Sequence, residues 1–142
     1  MKKFSPLFII VFFLFFAFVS SSCKKEQVEH QICSAGPGGN VELAFYVYHH
    51  DSLIPGATIY LKYNETEFPG TNPVNYDLTL QAGTTGQDKG HTRIPNMSCG
   101  KYYVYSEGFD PDLNDTLVTG GRPFEVIERE GIFTVNVYVT AE

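Results

Sequence analysis

Tryptophan is absent and methionine occurs twice, so the aromatic character of this chain rests on nine tyrosines and 12 phenylalanines. Basic residues are scarce. Ten Lys and Arg stand against 16 Asp and Glu, a formal net charge of −6. An acidic chain with scattered cations repels phosphate backbones, which argues against nucleic acid as a partner. The three cysteines show no zinc-ligand spacing, and there is no phosphate loop, nucleophile elbow or paired catalytic carboxylate. No catalytic residue is therefore nominated. One long hydrophobic run exists, Leu7 to Val19, and its 13 residues fall short of the ~20 needed to span a bilayer as a helix.

That run has the setting of a secretory signal. Lys2 and Lys3 precede it, and Ser20, Ser21 and Ser22 lead from it into Cys23. The Ser-Ser-Cys ending resembles a bacterial lipobox, whose cysteine is acylated and becomes the first residue of the mature protein. With Lys24 and Lys25 following, it is similar to lipoprotein signals of Bacteroidetes type. The competing readings are a secreted protein cut near Ser22 and an uncleaved membrane anchor. The chain thus divides into a lipoprotein signal peptide (1–22), a lipidated Cys23 with a flexible tether (23–40) and one domain (41–142). Seven of the phenylalanines belong to the signal and every tyrosine to the mature chain, whose net charge is −8. The expected location is the cell envelope, the domain outside the cytoplasm and held, in all expectation at the outer membrane, by lipid and not by a basic surface.

Acylation of Cys23 leaves Cys33 and Cys99 in a compartment that permits oxidation. An even pair allows one bridge, and two free thiols satisfy the count equally.

Beyond the Gly36-Pro37-Gly38-Gly39 boundary the signals are those of strands. Val41, Leu43, Phe45 and Val47 alternate with Glu42, Ala44, Tyr46 and Tyr48. Residues 57–63 are rich in β-branched and aromatic side chains. Residues 64–88 read mostly as loop, with a short strand near 76–81. Further strands are expected at 91–94, 101–107, 124–127 and 132–140. In the last of these, Phe133, Val135, Val137 and Val139 oppose Thr134, Asn136, Tyr138 and Thr140. No capped helical pattern is sustained in the domain. The expected class is all-β, a sandwich or barrel.

Two segments carry a family resemblance. Ile54–Leu61, reading IPGATIYL, resembles the hairpin of carboxypeptidase-regulatory-like domains. Thr85–Val104 is similar to the segment of that family in which a turn precedes a strand and a Gly-x-Tyr hairpin follows; Gly108-Phe109 stands where the family often has Gly-Tyr. The resemblance implies a seven-stranded, Greek-key, transthyretin-like β-sandwich of Ig-like architecture. It also implies a non-catalytic module for attachment, stability or binding. Intradiol dioxygenases share a related fold and bind iron through two Tyr and two His. Their His-x-His pair has no counterpart in Tyr105–Asp110.

Three groups of side chains are candidates for a site. His49, His50 and His91 lie at strand ends, with Asp51 or Asp110 as acidic partner, and imidazole suits zinc or copper. Adjacent strand residues point to opposite faces, which sets His49 against His50 unless the chain has already turned. Asp110–Asp115 spaces oxygens as a calcium loop does. It lacks the glycine expected at its sixth position and the carboxylate at its twelfth. Tyr48, Tyr60 and Tyr138 belong to the polar phase of their strands and form a possible aromatic face for sugar rings or a peptide. The expectation is a non-catalytic envelope lipoprotein with a binding or structural domain. Its partners would be the membrane, through lipid, and an envelope protein or glycan. The alternatives are a glycan- or metal-binding accessory protein and an unrecognised enzyme of the same fold. No cofactor is required.

Cys23→Ala is expected to release the protein from membranes or to block its processing. Detergent partition and the mass of the processed chain check this, and normal processing with unchanged partition would refute lipidation.

Overall fold

The computed structural model describes residues 33–141. The signal peptide, Cys23 and residues 24–32 lie outside them. The described residues form nine strands and three 3₁₀ turns, with no α-helix. The strands are β1 (Pro37–His49), β2 (Ser52–Leu53), β3 (Thr58–Tyr63), β4 (Leu78–Gln81), β5 (His91–Met97), β6 (Gly100–Asp110), β7 (Thr116–Val126), β8 (Glu130–Tyr138) and β9 (Thr140–Ala141).

They make two sheets packed as a sandwich. In sheet A, β1 is central. It pairs in parallel with β8 from Asn40↔Glu130 to Tyr48↔Tyr138. On its other edge it pairs antiparallel with β5 and, at its far end, with β2. Sheet B runs β4-β3-β6-β7-β9, all antiparallel.

The alternation expected of β1 holds. Val41, Leu43, Phe45 and Val47 are wholly buried between the sheets. Val135 and Val137 join them from β8, Ile59 and Leu61 from β3, and Tyr102 and Val104 from β6. Burying a side chain of this size contributes about 1.5–3 kcal/mol, so the inward phase of β1 alone makes slippage by one residue prohibitive. Tyr102 is buried with its hydroxyl satisfied: it accepts from the Gly36 N–H at 3.0 Å and donates to the Ser98 carbonyl. Phe124 stacks on Tyr102 and meets Phe45 edge-on.

The ordered domain begins before residue 41. Ala35 is buried in the core, Cys33 and Cys99 are joined by a disulfide with Cα atoms 5.0 Å apart, and β1 starts at Pro37. Of the glycines that suggest a tether, Gly39 serves close approach, as does Gly100 further on. A Cβ on Gly39 would meet the Met97 carbonyl oxygen at 2.2 Å, and one on Gly100 would meet the Ala35 nitrogen at 2.3 Å. β7 is likewise longer than the 124–127 expected. Gly120 and Gly121 look like turn residues in sequence, yet they lie in the strand because Tyr138 and Val104 carbonyls pass against them. Pro123 and Pro95 sit within strands that have free edges, where a missing N–H costs no ladder bond.

The bridge closes a loop across a sequence separation of 66. Its removal in Cys33→Ser/Cys99→Ser is expected to cost about 4 kcal/mol in the chain-entropy model. Denaturant midpoints check this. Alkylation without reductant is expected to label neither cysteine.

Candidate ligand-binding face

The two outer faces of the sandwich differ in how much of their aromatic surface is covered. On sheet B the outward phase carries Tyr60 from β3 and Tyr103 and Tyr105 from β6. The β3–β4 connection folds back over them, bringing Tyr76 and Phe68 down on the rings. Tyr60, Tyr76, Tyr103 and Tyr105 become a second small core, each at most 9% exposed. The connection is held by Asp77, which accepts from the Tyr63 N–H at 2.7 Å and from Lys62 Nζ at 3.0 Å. Tyr60 donates to Glu107 Oε1 at 2.7 Å. Burial, then this carboxylate, pushes the Tyr60 hydroxyl up to about 12; burial foremost does the same to Tyr76, also to about 12.

On sheet A no connection folds over the outward phase in the same way: Tyr138 is exposed and Tyr46 and Tyr48 are half-buried, while Ala44 and His91 are buried. Tyr46 and Tyr48 follow one another on β1, and the parallel register sets Tyr138 of β8 directly beside Tyr48. The antiparallel register sets His91 of β5 beside Tyr46. Their rings form a continuous strip across three strands. The centroid separations are 4.9 Å for His91–Tyr46, 6.5 Å for Tyr46–Tyr48 and 5.9 Å for Tyr48–Tyr138, with planes 11°, 19° and 28° apart. Near-parallel rings at such spacings are displaced sideways, which leaves aromatic surface open along the strip. Tyr138 is 61% exposed. Thr134 and Asn136 share this face on β8. Arg93 bonds Glu42 Oε1 at 3.0 Å and also the Tyr46 side chain. Beside His91 lies a shallow depression lined by Gln81, Gly83, Asp88, Thr92 and Arg93.

This arrangement separates residues that the sequence reading groups together. Tyr60 does not join Tyr48 and Tyr138, because β3 belongs to the other sheet and its outer face is covered. Nor do the histidines share one rim. His91 lies on the outer face of sheet A, its Nδ1 3.8 Å from Asp88 Oδ1. His49, in the inward phase of β1, is buried, and its Nδ1 is 2.6 Å from Asp110 Oδ2. The His50 ring lies beside that of His49, tilted by 45°. Asp51 is exposed in the β1–β2 turn. Asp110 is not free to serve a calcium loop. Its second oxygen accepts from the Asp112 N–H at 2.8 Å, and the His49 bond foremost holds its carboxyl below the ordinary range against the cost of burial. Among the described residues no three His, Cys, Asp or Glu side chains gather as a metal site.

Tyr46 joins Tyr48 and Tyr138 on this face, and its phase beside Tyr48 is legible in the sequence. The places of Arg93 and His91 required the β1–β5 register. Comparison with family models, curated proteins and solved structures finds no match for this chain.

Tyr60 and Tyr76 have raised values, so their protonated forms stabilise the fold in full below pH about 10, and that contribution is lost as pH rises through about 12. Alkaline titration of phenolate absorbance is expected to show late-ionising tyrosines, Tyr60 and Tyr76 among them, coupled to loss of stability. Glu107→Gln should bring Tyr60 part of the way back, since burial is the larger cause.

Proposed function

We propose that this chain is a lipid-anchored cell-envelope protein whose β-sandwich is a non-catalytic binding module, and that sheet A is the face it uses. The observation that carries the reading is the open strip of Tyr46, Tyr48 and Tyr138, set against the covered tyrosines of sheet B. Tyr is well suited to such a face. It offers rigid apolar area and a hydroxyl that remains wet. A pyranose ring has an apolar face for the rings and hydroxyls for Asn136, Thr134 and Arg93, so a neutral glycan is the favoured ligand. The acidic balance of the chain and the internal pairing of Arg93 with Glu42 disfavour an acidic one.

We infer the finer fold as transthyretin-like and Greek-key, of the carboxypeptidase-regulatory-like kind. The seven strands of four or more residues among those described, in two packed sheets, support it, as do the two segments that resemble that family.

Titration with neutral oligosaccharides, read by tyrosine fluorescence or chemical shifts, tests the binding role. Tyr48→Ala and Tyr138→Ala are each expected to weaken binding about 2- to 10-fold, the worth of one aromatic contact at about 0.5–1.5 kcal/mol. Tyr103→Ala, on the covered face, should leave affinity unchanged in the folded protein. Equal losses from both faces would overturn the assignment.

A further inference from the structure

We infer that His49 and His50 form an open surface site for a borderline transition-metal ion, copper(II) most tightly and zinc less so, with Asp110 as the positioning residue. The site is separate from the aromatic strip and uses none of its residues.

The chemistry starts from the buried pair. His49 is 6% exposed and Asp110 is 2% exposed. A carboxylate oxygen 2.6 Å from Nδ1 requires the proton on Nδ1, which leaves the lone pair of a neutral imidazole on Nε2. Asp110 is itself fixed at its other oxygen by the Asp112 N–H, so the ring is held from behind in one tautomer and orientation. A carboxylate behind a histidine in this way raises its basicity as a ligand and is the usual support of metal-binding imidazoles. Among the described residues Nε2 has no hydrogen-bond partner, the contact of His49 with Asp110 running through Nδ1. Since no buried side-chain nitrogen or oxygen among the described residues lacks a partner, Nε2 reaches solvent. The result is an oriented donor atom on a side chain more than nine-tenths buried, with none of the described residues bound to it.

The second donor comes from the turn. In a continuing strand His50 would point away from His49. Here β1 ends at His49, and His50 adopts φ +51°, which turns the chain. The two imidazoles come to lie with centroids 4.2 Å apart and planes at 45°. His50 is exposed, so its ring can adjust about χ1 and χ2 to share an ion with His49 Nε2. Asp110 is spent on His49 and Asp112 and orients the site without entering it. Two imidazoles leave the remaining positions to water or an external ligand. A nitrogen-donor pair with positions left to water suits copper(II), and the order of stability places zinc below it. Metal is then not needed for folding, unlike a closed structural site.

The test uses the full mature chain with its Cys33–Cys99 bridge intact, titrated with copper(II) and separately with zinc at neutral pH. Calorimetry is expected to give one saturable site per chain. Electron paramagnetic resonance of the copper form should show hyperfine coupling to two imidazole nitrogens. His50→Ala removes an exposed ligand without touching the core and should weaken copper at least tenfold. Asp110→Asn should weaken it about 10- to 100-fold, the usual effect of losing an orienting carboxylate, with the β-sheet circular dichroism retained. No saturable copper binding, coupling to a single nitrogen, or affinity indifferent to His50→Ala would each overturn the assignment. Because these readouts involve no glycan, failure here leaves the aromatic-face reading to stand or fall by its own titration.

Discussion

Everything that faces outward or inward on sheet A follows from the phase of β1. This strand carries four wholly buried side chains at alternate positions and is paired along both edges. A slip of one residue would bury Glu42, Tyr46 and Tyr48 and expose Val41, Leu43, Phe45 and Val47. Four such exchanges are worth several kcal/mol, comparable with the whole net stability of a small domain. The register with β8 and β5 is therefore fixed by the core. The positions of Tyr138 beside Tyr48 and His91 beside Tyr46 are consequences of that packing. The same phase turns His49 inward, where a histidine is tolerated only because Asp110 satisfies it.

The two outer faces show how one alternating pattern can end in opposite fates. Both present rows of tyrosine. On sheet B the long β3–β4 connection supplies Tyr76, Phe68 and Asp77, and the row becomes core. On sheet A the neighbouring connections are short, and the strip meets solvent. Burial also changes the chemistry of the phenols: Tyr60 and Tyr76 are pushed up to about 12, and Tyr103 upward. Covered rings contribute stability and uncovered ones are available to a partner, a distinction that local sequence does not encode.

Much of the architecture was nonetheless legible. The all-β class, the inward and outward phases of β1 and β8, and the pairing possibility of Cys33 with Cys99 can be read from alternation and count. What could not be read depends on nonlocal contact. Gly36, Gly38, Gly39, Gly120 and Gly121 carry the same local signal as turn or linker glycines. Gly39, Gly120 and Gly121 lie in strands because another backbone passes where a Cβ would stand. Tyr60 shares the polar phase of its strand with Tyr48 and Tyr138 on theirs, and only sheet membership separates them. The histidines failed as a group for a related reason. His91 reaches sheet A through β5 and faces outward, while His49 occupies the opposite phase of β1.

Strand direction adds a last geometric step. The chain enters the domain beside Cys33 and Gly100, and β1 then runs from Pro37 to His49 without interruption. From Val41 to His49 it advances about 26 Å at ~3.3 Å per residue. The Tyr48–Tyr138 end of the aromatic strip and the His49–His50 turn therefore lie at the end of the sandwich opposite to chain entry. The disulfide ties the entering segment to the start of β6, so the near end is held by a covalent bond and by Ala35 in the core. The far end is held by the His49–Asp110 pair between the ends of β1 and β6. β1 and β6, in opposite sheets, are thus tied to one another at both ends, covalently at one and by a charge-assisted hydrogen bond at the other. The exposed groups available for recognition are set on the stiff span and at its far end.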